Sequence, residues 1–166
     1  MNLNERINQK NNNLDAWNIH KKELAESCIK KIENNALGGK KYPSCGQIYL
    51  TELGENIGYE INAPHPALII SKNIYNKTGT VIVAPISSGK IRNHKHLLKC
   101  QYILSSQKYP HYLSKDSVVK LDQMRCISVN RLKEYRGRVN NDDMERIKKR
   151  IKFVLDIDWH QLYNIG

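Results

Sequence analysis

The sequence is short of acids, has no closely spaced cysteines and holds no long apolar run. Sixteen Asp and Glu stand against 27 Lys and Arg, a formal net charge of +11. A chain this basic favours polyanions, nucleic acid first and an anionic membrane surface second. Charge on that scale also serves solubility alone. Cys28, Cys45, Cys100 and Cys126 are far apart, and none stands in a CxxC or Cys/His ligand spacing. That excludes a disulfide framework and a zinc site, and leaves small thiols suited to a reducing compartment. The opening residues, Met1-Asn2-Leu3-Asn4-Glu5-Arg6, lack the apolar core of a signal peptide. No apolar run approaches the ~20 residues of a membrane-spanning helix. The expectation is a soluble, cytoplasmic protein with no membrane attachment. There is no internal repeat, and no low-complexity segment beyond an asparagine run.

At 166 residues the chain has room for one domain with a real core, plus an appendage. Residues 1–41 differ from the rest. The run Lys10-Asn11-Asn12-Asn13 predicts a poorly ordered start over residues 1–13. From Leu14, apolar residues at Leu14, Trp17, Leu24, Cys28 and Ile32 trace a helical stripe, closed by Asn34-Asn35 and Gly38-Gly39. This extension carries eight basic and five acidic residues. It reads as an amphipathic helix laid on the main domain, residues 42–166, or on a partner.

The main domain is organised around Gly58-Tyr59-Glu60-Ile61-Asn62-Ala63-Pro64-His65-Pro66-Ala67-Leu68-Ile69-Ile70-Ser71. A polar, proline-stiffened half leads into a short apolar run, the pattern of an exposed loop feeding a buried strand. Pro64 fixes its own φ, and Pro66 holds His65 extended. Glu60 and His65, two side chains able to move protons, therefore sit on a stiffened loop at the mouth of a sheet. Further strands are predicted over Gly46–Leu53, Thr80–Ile86, Leu97–Ile103, Ser117–Asp122 and Gln123–Ser128. Arg136-Gly137 closes this region. A helix then starts at a cap on Asn141 or Asp142, with Met144, Ile147, Ile151 and Leu155 on its apolar face. Short strands joined by turns, with one packed helix, predict a small barrel-like sheet.

Ser87 ends a strand, and the segment after it holds Lys90, Arg92, His94, Lys95, His96 and Lys99 with no acid among them. With Glu60 and His65, these residues match attack of a ribose 2′-hydroxyl on the adjacent phosphate. That reaction needs one group to take the 2′-proton, one to protonate the leaving 5′-oxygen, and donors for the charge on phosphorus. A histidine serves in either proton role, Ser87 supplies a donor, and the cationic segment holds flanking phosphates. Tyr59, Tyr75, Tyr102, Tyr109 and Tyr112 offer stacking faces for single-stranded RNA. Plainer roles stand beside these. His65 can cap a loop, Ser87-Ser88-Gly89 can be an ordinary turn, and Glu60 can pair with a lysine. Asp122, Gln123 and Arg125 can satisfy strand-end hydrogen bonds.

From Gly46 to about Ile157 the chain resembles the MazF/PemK toxins of bacterial toxin–antitoxin pairs. The resemblance rests on Gly46-Gln47-Ile48-Tyr49-Leu50, Gly58-Tyr59-Glu60, Pro66-Ala67-Leu68-Ile69-Ile70-Ser71, Tyr75-Asn76 and Val81-Ile82-Val83-Ala84-Pro85-Ile86-Ser87. It continues through Leu121-Asp122-Gln123-Met124-Arg125-Cys126-Ile127, Arg131-Leu132 and the last helix. It implies a mainly β fold with α: an SH3-like barrel with a C-terminal helix, here with an added N-terminal helix, forming a homodimer. It also implies a metal-independent endoribonuclease that needs no cofactor, cuts single-stranded RNA at short sequences and leaves a 2′,3′-cyclic phosphate. An acidic antitoxin would cover its RNA groove. The family places an arginine where this chain has His65 and a threonine where it has Ser87, while Glu60 keeps its glutamate. Histidine cannot fork two donors onto a phosphate as arginine does, so either His65 takes an acid/base role or the site is weakened. Lys120 and Asp122 fall where some members place RNA-contacting or catalytic residues. The expected site is therefore His65, Ser87 and Glu60 for catalysis. Tyr59, Lys90, Arg92, Lys95, Lys120, Asp122, Gln123 and Arg125 are expected along the RNA. The rival reading is a member of the same fold that binds RNA or protein without cutting, or poisons gyrase.

Overall fold

The run Ala67–Ile70 is continuously apolar because the strand it belongs to is covered on both faces. In the computed structural model, which describes residues 1–34, 42–88 and 97–157, that strand is β2 (Pro64–Ile69). Side chains alternate across a strand. Leu68 accordingly enters one apolar cluster, with Ile48, Ala84, Ile86, Leu104, Val119, Leu121 and Ile147. Ala67 and Ile69 enter the other, with Leu53, Val81, Val83 and Ile127. All of these are buried, and burying a Leu or Ile contributes about 1.5–3 kcal/mol.

The other strands are β1 (Gln47–Glu52), β3 (Thr80–Ser87), β4 (Gln101–Leu104), β5 (Ser117–Lys120), β6 (Arg125–Ser128) and β7 (Leu132–Arg138). They form one antiparallel sheet in the order β4-β5-β3-β2-β1-β7, with β6 also on β3. Strand β3 changes partners along its length: Thr80–Val83 pair with β6, and Ile86 and Ser87 pair with β5. Pro85 has no N–H to give a ladder, and it stands in the gap between those two pairings.

β7 is absent from the sequence-based expectation, which ended the region at Arg136-Gly137. Its residues, Leu-Lys-Glu-Tyr-Arg-Gly-Arg, show no apolar alternation, and only Gly137 is buried. Pairing with β1 makes this segment a strand; local propensity does not.

Two helices flank the sheet. α1 spans Leu3–Glu33, so it begins well before Leu14, where the sequence pattern placed its start. Residues 1–13 were expected to lack order, because asparagine is a poor helix former. Three side chains answer for this. Asn2 and Glu5 close a capping box, Glu5 N donating to Asn2 Oδ1 at 2.9 Å and Asn2 N to Glu5 Oε2 at 2.8 Å. Lys10 then ties the segment to Glu55 and Asn56. The helix has no buried residue and lies along one side of the barrel, with Trp17, Leu24, Cys28 and Lys31 half-buried against it.

α2 (Asn141–Val154) is capped by Asn140, whose side chain accepts from Asp143 N at 2.9 Å. The cap thus lies one residue ahead of the expected Asn141. Asp143 is buried and gathers the polar ties that hold α2 to β4 and to the segment between β4 and β5. It accepts from Tyr102 Oη at 2.7 Å, from Lys108 Nζ at 2.8 Å, and from Tyr109 Oη. Burial alone would raise the Asp143 carboxyl, but the bonds from Lys108, Tyr109 and Tyr102 outweigh it and hold the pKa below the usual carboxylate range. The same burial and bond push Tyr102 up to about 12.

A carboxyl held low in the folded state stabilises it above the unfolded pKa, about 4. That stability is lost as pH falls through the folded value. Asp143→Ala should therefore cost about 3 kcal/mol at neutral pH by leaving three donors unpaired. In urea denaturation across pH, the variant should also lose part of the wild type's decline in acid.

Candidate active site

The β2–β3 register pairs Ala67 with Pro85, Leu68 with Ala84 and Ile69 with Val83. His65 and Ser87 each lie two residues beyond the Ala67–Pro85 pair on their own strands. Both residues line a cleft of about 530 Å³, walled by Pro64, Pro66 and Ile86 from the strands and by Tyr112, Leu113, Ser114 and Lys115 from the β4–β5 segment. That volume lies within the range of small-ligand sites.

His65 is half-buried in β2, paired across to Thr51 of β1. Its Nδ1 is buried and has no hydrogen-bond partner among the described residues. A buried ring nitrogen left unpaired is costly to the fold.

The β4–β5 segment is held rigidly against the cleft. Ser106 N and Oγ donate to Asp116 Oδ1 at 2.8 and 2.9 Å, which closes the segment at its ends. Tyr112 Oη donates to the carbonyl of Arg138 at 2.7 Å, and its ring lies directly on Gly137, where a Cβ would come within 2.4 Å of Cδ1. Gly137 therefore stays bare so that Tyr112 can form the cleft wall.

The remaining expected site residues lie elsewhere. Glu60 is exposed on the β1–β2 loop, where its Oε2 accepts from Ile57 N at 3.4 Å. Tyr59 is fully exposed at the loop's tip. Gln123 clasps this loop, donating to the Tyr59 carbonyl and accepting from Ile61 N, each at 3.0 Å. Asp122 is exposed on the 3-10 turn Leu121–Gln123. Lys120 and Arg125 are half-buried at the ends of β5 and β6. None of Glu60, Lys120, Asp122 and Arg125 lines the cleft. Lys90, Arg92 and Lys95 lie outside the described residues. Lys115, a cleft cation, and Ser114 were not singled out from sequence. Their only signal was a position shortly after Tyr109-Pro110-His111-Tyr112.

A curled antiparallel sheet around two apolar clusters, with a polar cleft where two strands end, defines a small SH3-like barrel. The profile of a family described as "PemK-like, MazF-like toxin of type II toxin-antitoxin system" matches residues 44–155. The endoribonuclease MazF of Staphylococcus saprophyticus is 32% identical over 117 residues, 68% of this chain and 90% of that protein. MazF from Deinococcus radiodurans superposes with a TM-score of 0.58 at 21% identity, over 71% of this chain and all of that one. A mycobacterial endoribonuclease in complex with its cognate antitoxin does so at 0.54 and 21%, over 70% of this chain and 98% of that one. The chain belongs to the PemK/MazF toxin family, and with it to the endoribonucleases.

Gly137→Ala should lever the Tyr112 ring out of the cleft wall at a cost of about 1–3 kcal/mol. Urea denaturation measures the loss. An unchanged midpoint would mean that the ring moves freely.

Proposed function

We propose that the chain cuts single-stranded RNA in the cleft between β2 and β3, with His65 as the proton-transferring group and Ser87 as a donor to the phosphate. The observation that supports this is a histidine ring and a strand-end hydroxyl lining one cleft beside a lysine. The ribose 2′-oxygen attacks phosphorus, the P–O5′ bond breaks, and a 2′,3′-cyclic phosphate and a 5′-hydroxyl leave. His65 takes the 2′-proton or delivers one to the 5′-oxygen. Ser87, with Lys115 nearby, meets the charge that develops on the non-bridging oxygens. Glu60 stands outside the cleft, so its part is to position RNA or the loop. Tyr59 at the exposed tip offers a stacking face.

The net charge of +11 suits both RNA and an acidic inhibitor. A solved relative is held by its cognate antitoxin, and an antitoxin of this kind is the partner proposed here. It would act on a homodimer in the cytoplasm. No helix among the described residues is long and apolar enough to cross a membrane.

The test is incubation of long single-stranded RNA with the protein in EDTA. Discrete fragments ending in cyclic phosphate are expected. His65→Ala should lower the rate by about 10²–10⁴-fold, and Ser87→Ala by about 10²–10³-fold, with folding intact. RNA retained but never cut by the wild type would instead make the protein an RNA binder. Lys115→Ala should weaken RNA binding for all sequences and reduce the salt slope by about one charge.

A further inference from the structure

We infer that α1 is a built-in brace for the β1–β2 loop, with Lys10 and Trp17 as positioning residues that set how the loop meets RNA. The kinetic part of this rests on the ribonuclease reading above; the structural part does not.

The family match begins at residue 44, so α1 lies wholly outside it. None of its residues is buried, and neither apolar cluster draws on it. The core is complete without this helix. A helix of 31 residues is about 46 Å long, yet the contacts of its first two-thirds converge on one short segment. Lys10 Nζ reaches both the Glu55 carboxylate and the Asn56 carbonyl, and the Glu55 side chain is only 13% exposed. The Trp17 indole packs against Gly54, where a Cβ would come within 2.6 Å of the ring. Gly54 also sits at φ +90°, a conformation that favours glycine. On the barrel side the Arg131 guanidinium stands 5.2 Å from the indole centroid, and Arg131 Nε donates to the Glu52 carbonyl at 2.7 Å. His20 Nε2 lies 3.6 Å from Glu52 Oε1.

What Lys10 holds is the hub of the loop. The Asn56 side chain donates to the Ile61 carbonyl at 2.7 Å, and Asn56 N donates to Asn62 Oδ1 at 2.7 Å. Ala63 N donates to the Gly54 carbonyl at 2.8 Å, which pins Ala63 at φ +62°, a strained value for a residue with a Cβ. Two residues later comes His65. The brace thus fixes the outgoing limb, Asn56 couples it to the returning limb, and that limb sets the approach to the cleft. The side chains at the tip stay exposed: Ile57 is 79% and Tyr59 100% exposed.

The experiment compares the full chain with Lys10→Met, Lys10→Arg and Ala63→Gly by hydrogen–deuterium exchange and by RNA cleavage kinetics. Lys10→Met should speed amide exchange over residues 54–63 while β1 and β3 keep wild-type protection. It should raise KM about tenfold with kcat unchanged, because a loop that is no longer pre-organised must be ordered by RNA. Lys10→Arg keeps a donor for both partners and should restore both readouts. Ala63→Gly loosens the returning limb without touching α1, and should raise KM in the same direction. Unchanged loop exchange in Lys10→Met overturns the brace. So does faster exchange with wild-type KM, or a gain in activity, which would make α1 an inhibitor. A wild type that cuts no RNA defeats the ribonuclease reading, while the exchange data still decide the brace.

Discussion

The pairing of β2 with β3 is the constraint on which the rest depends. It carries the proline-flanked His65, just before the apolar run, to the cleft that Ser87 at the end of β3 also lines. Because β2 is buried on both faces, a slip of one residue would exchange Leu68 with Ala67 and Ile69 between clusters of different shape. Register is therefore fixed by packing well inside the sheet, and the cleft inherits its geometry from that core. His65 and Ser87 line the same cleft as a consequence.

Polar groups join apolar packing in holding the opposite wall of the cleft. Asp143, in the first turn of α2, collects the Tyr102 hydroxyl from β4 and the Tyr109 hydroxyl and Lys108 from the β4–β5 segment, and Asn140 N donates to Tyr109 Oη at 3.2 Å. This ties a helix cap, a buried charge and a loop into one unit. The cost of burying the carboxylate is offset only because every bond is made. The segment's far end is then sealed by Tyr112 over Gly137, so the wall has two independent anchors.

Much of this was legible from residues alone, for identifiable reasons. The strand at Ala67–Ile70 and the helix at Met144–Ile151 announce themselves by apolar runs and stripes, since burial dictates them. Ser87 ends β3 as expected, whereas His65, read as a loop residue, lies inside β2 because it pairs with Thr51. β7 was not legible, because its identity comes from its neighbour. Nor was the order of residues 1–13, which depends on a capping box and on Lys10 meeting a loop far along the chain. Glu60 was grouped with His65 by proximity in sequence, yet the β1–β2 loop folds back on itself through Asn56 and turns Glu60 to solvent. Gln123 was read as a candidate RNA contact, and its amide is engaged by the loop backbone.

The outermost position of β7 has a bearing on solubility. A sheet margin with spare backbone donors and acceptors invites a second chain to extend it, and most of this strand is exposed. Lys133, Arg136 and Arg138 against the lone Glu134 would set like charges across any self-pairing, which opposes end-to-end growth of one barrel onto another. The same lysine and arginines leave the margin open to an extended segment of opposite sign.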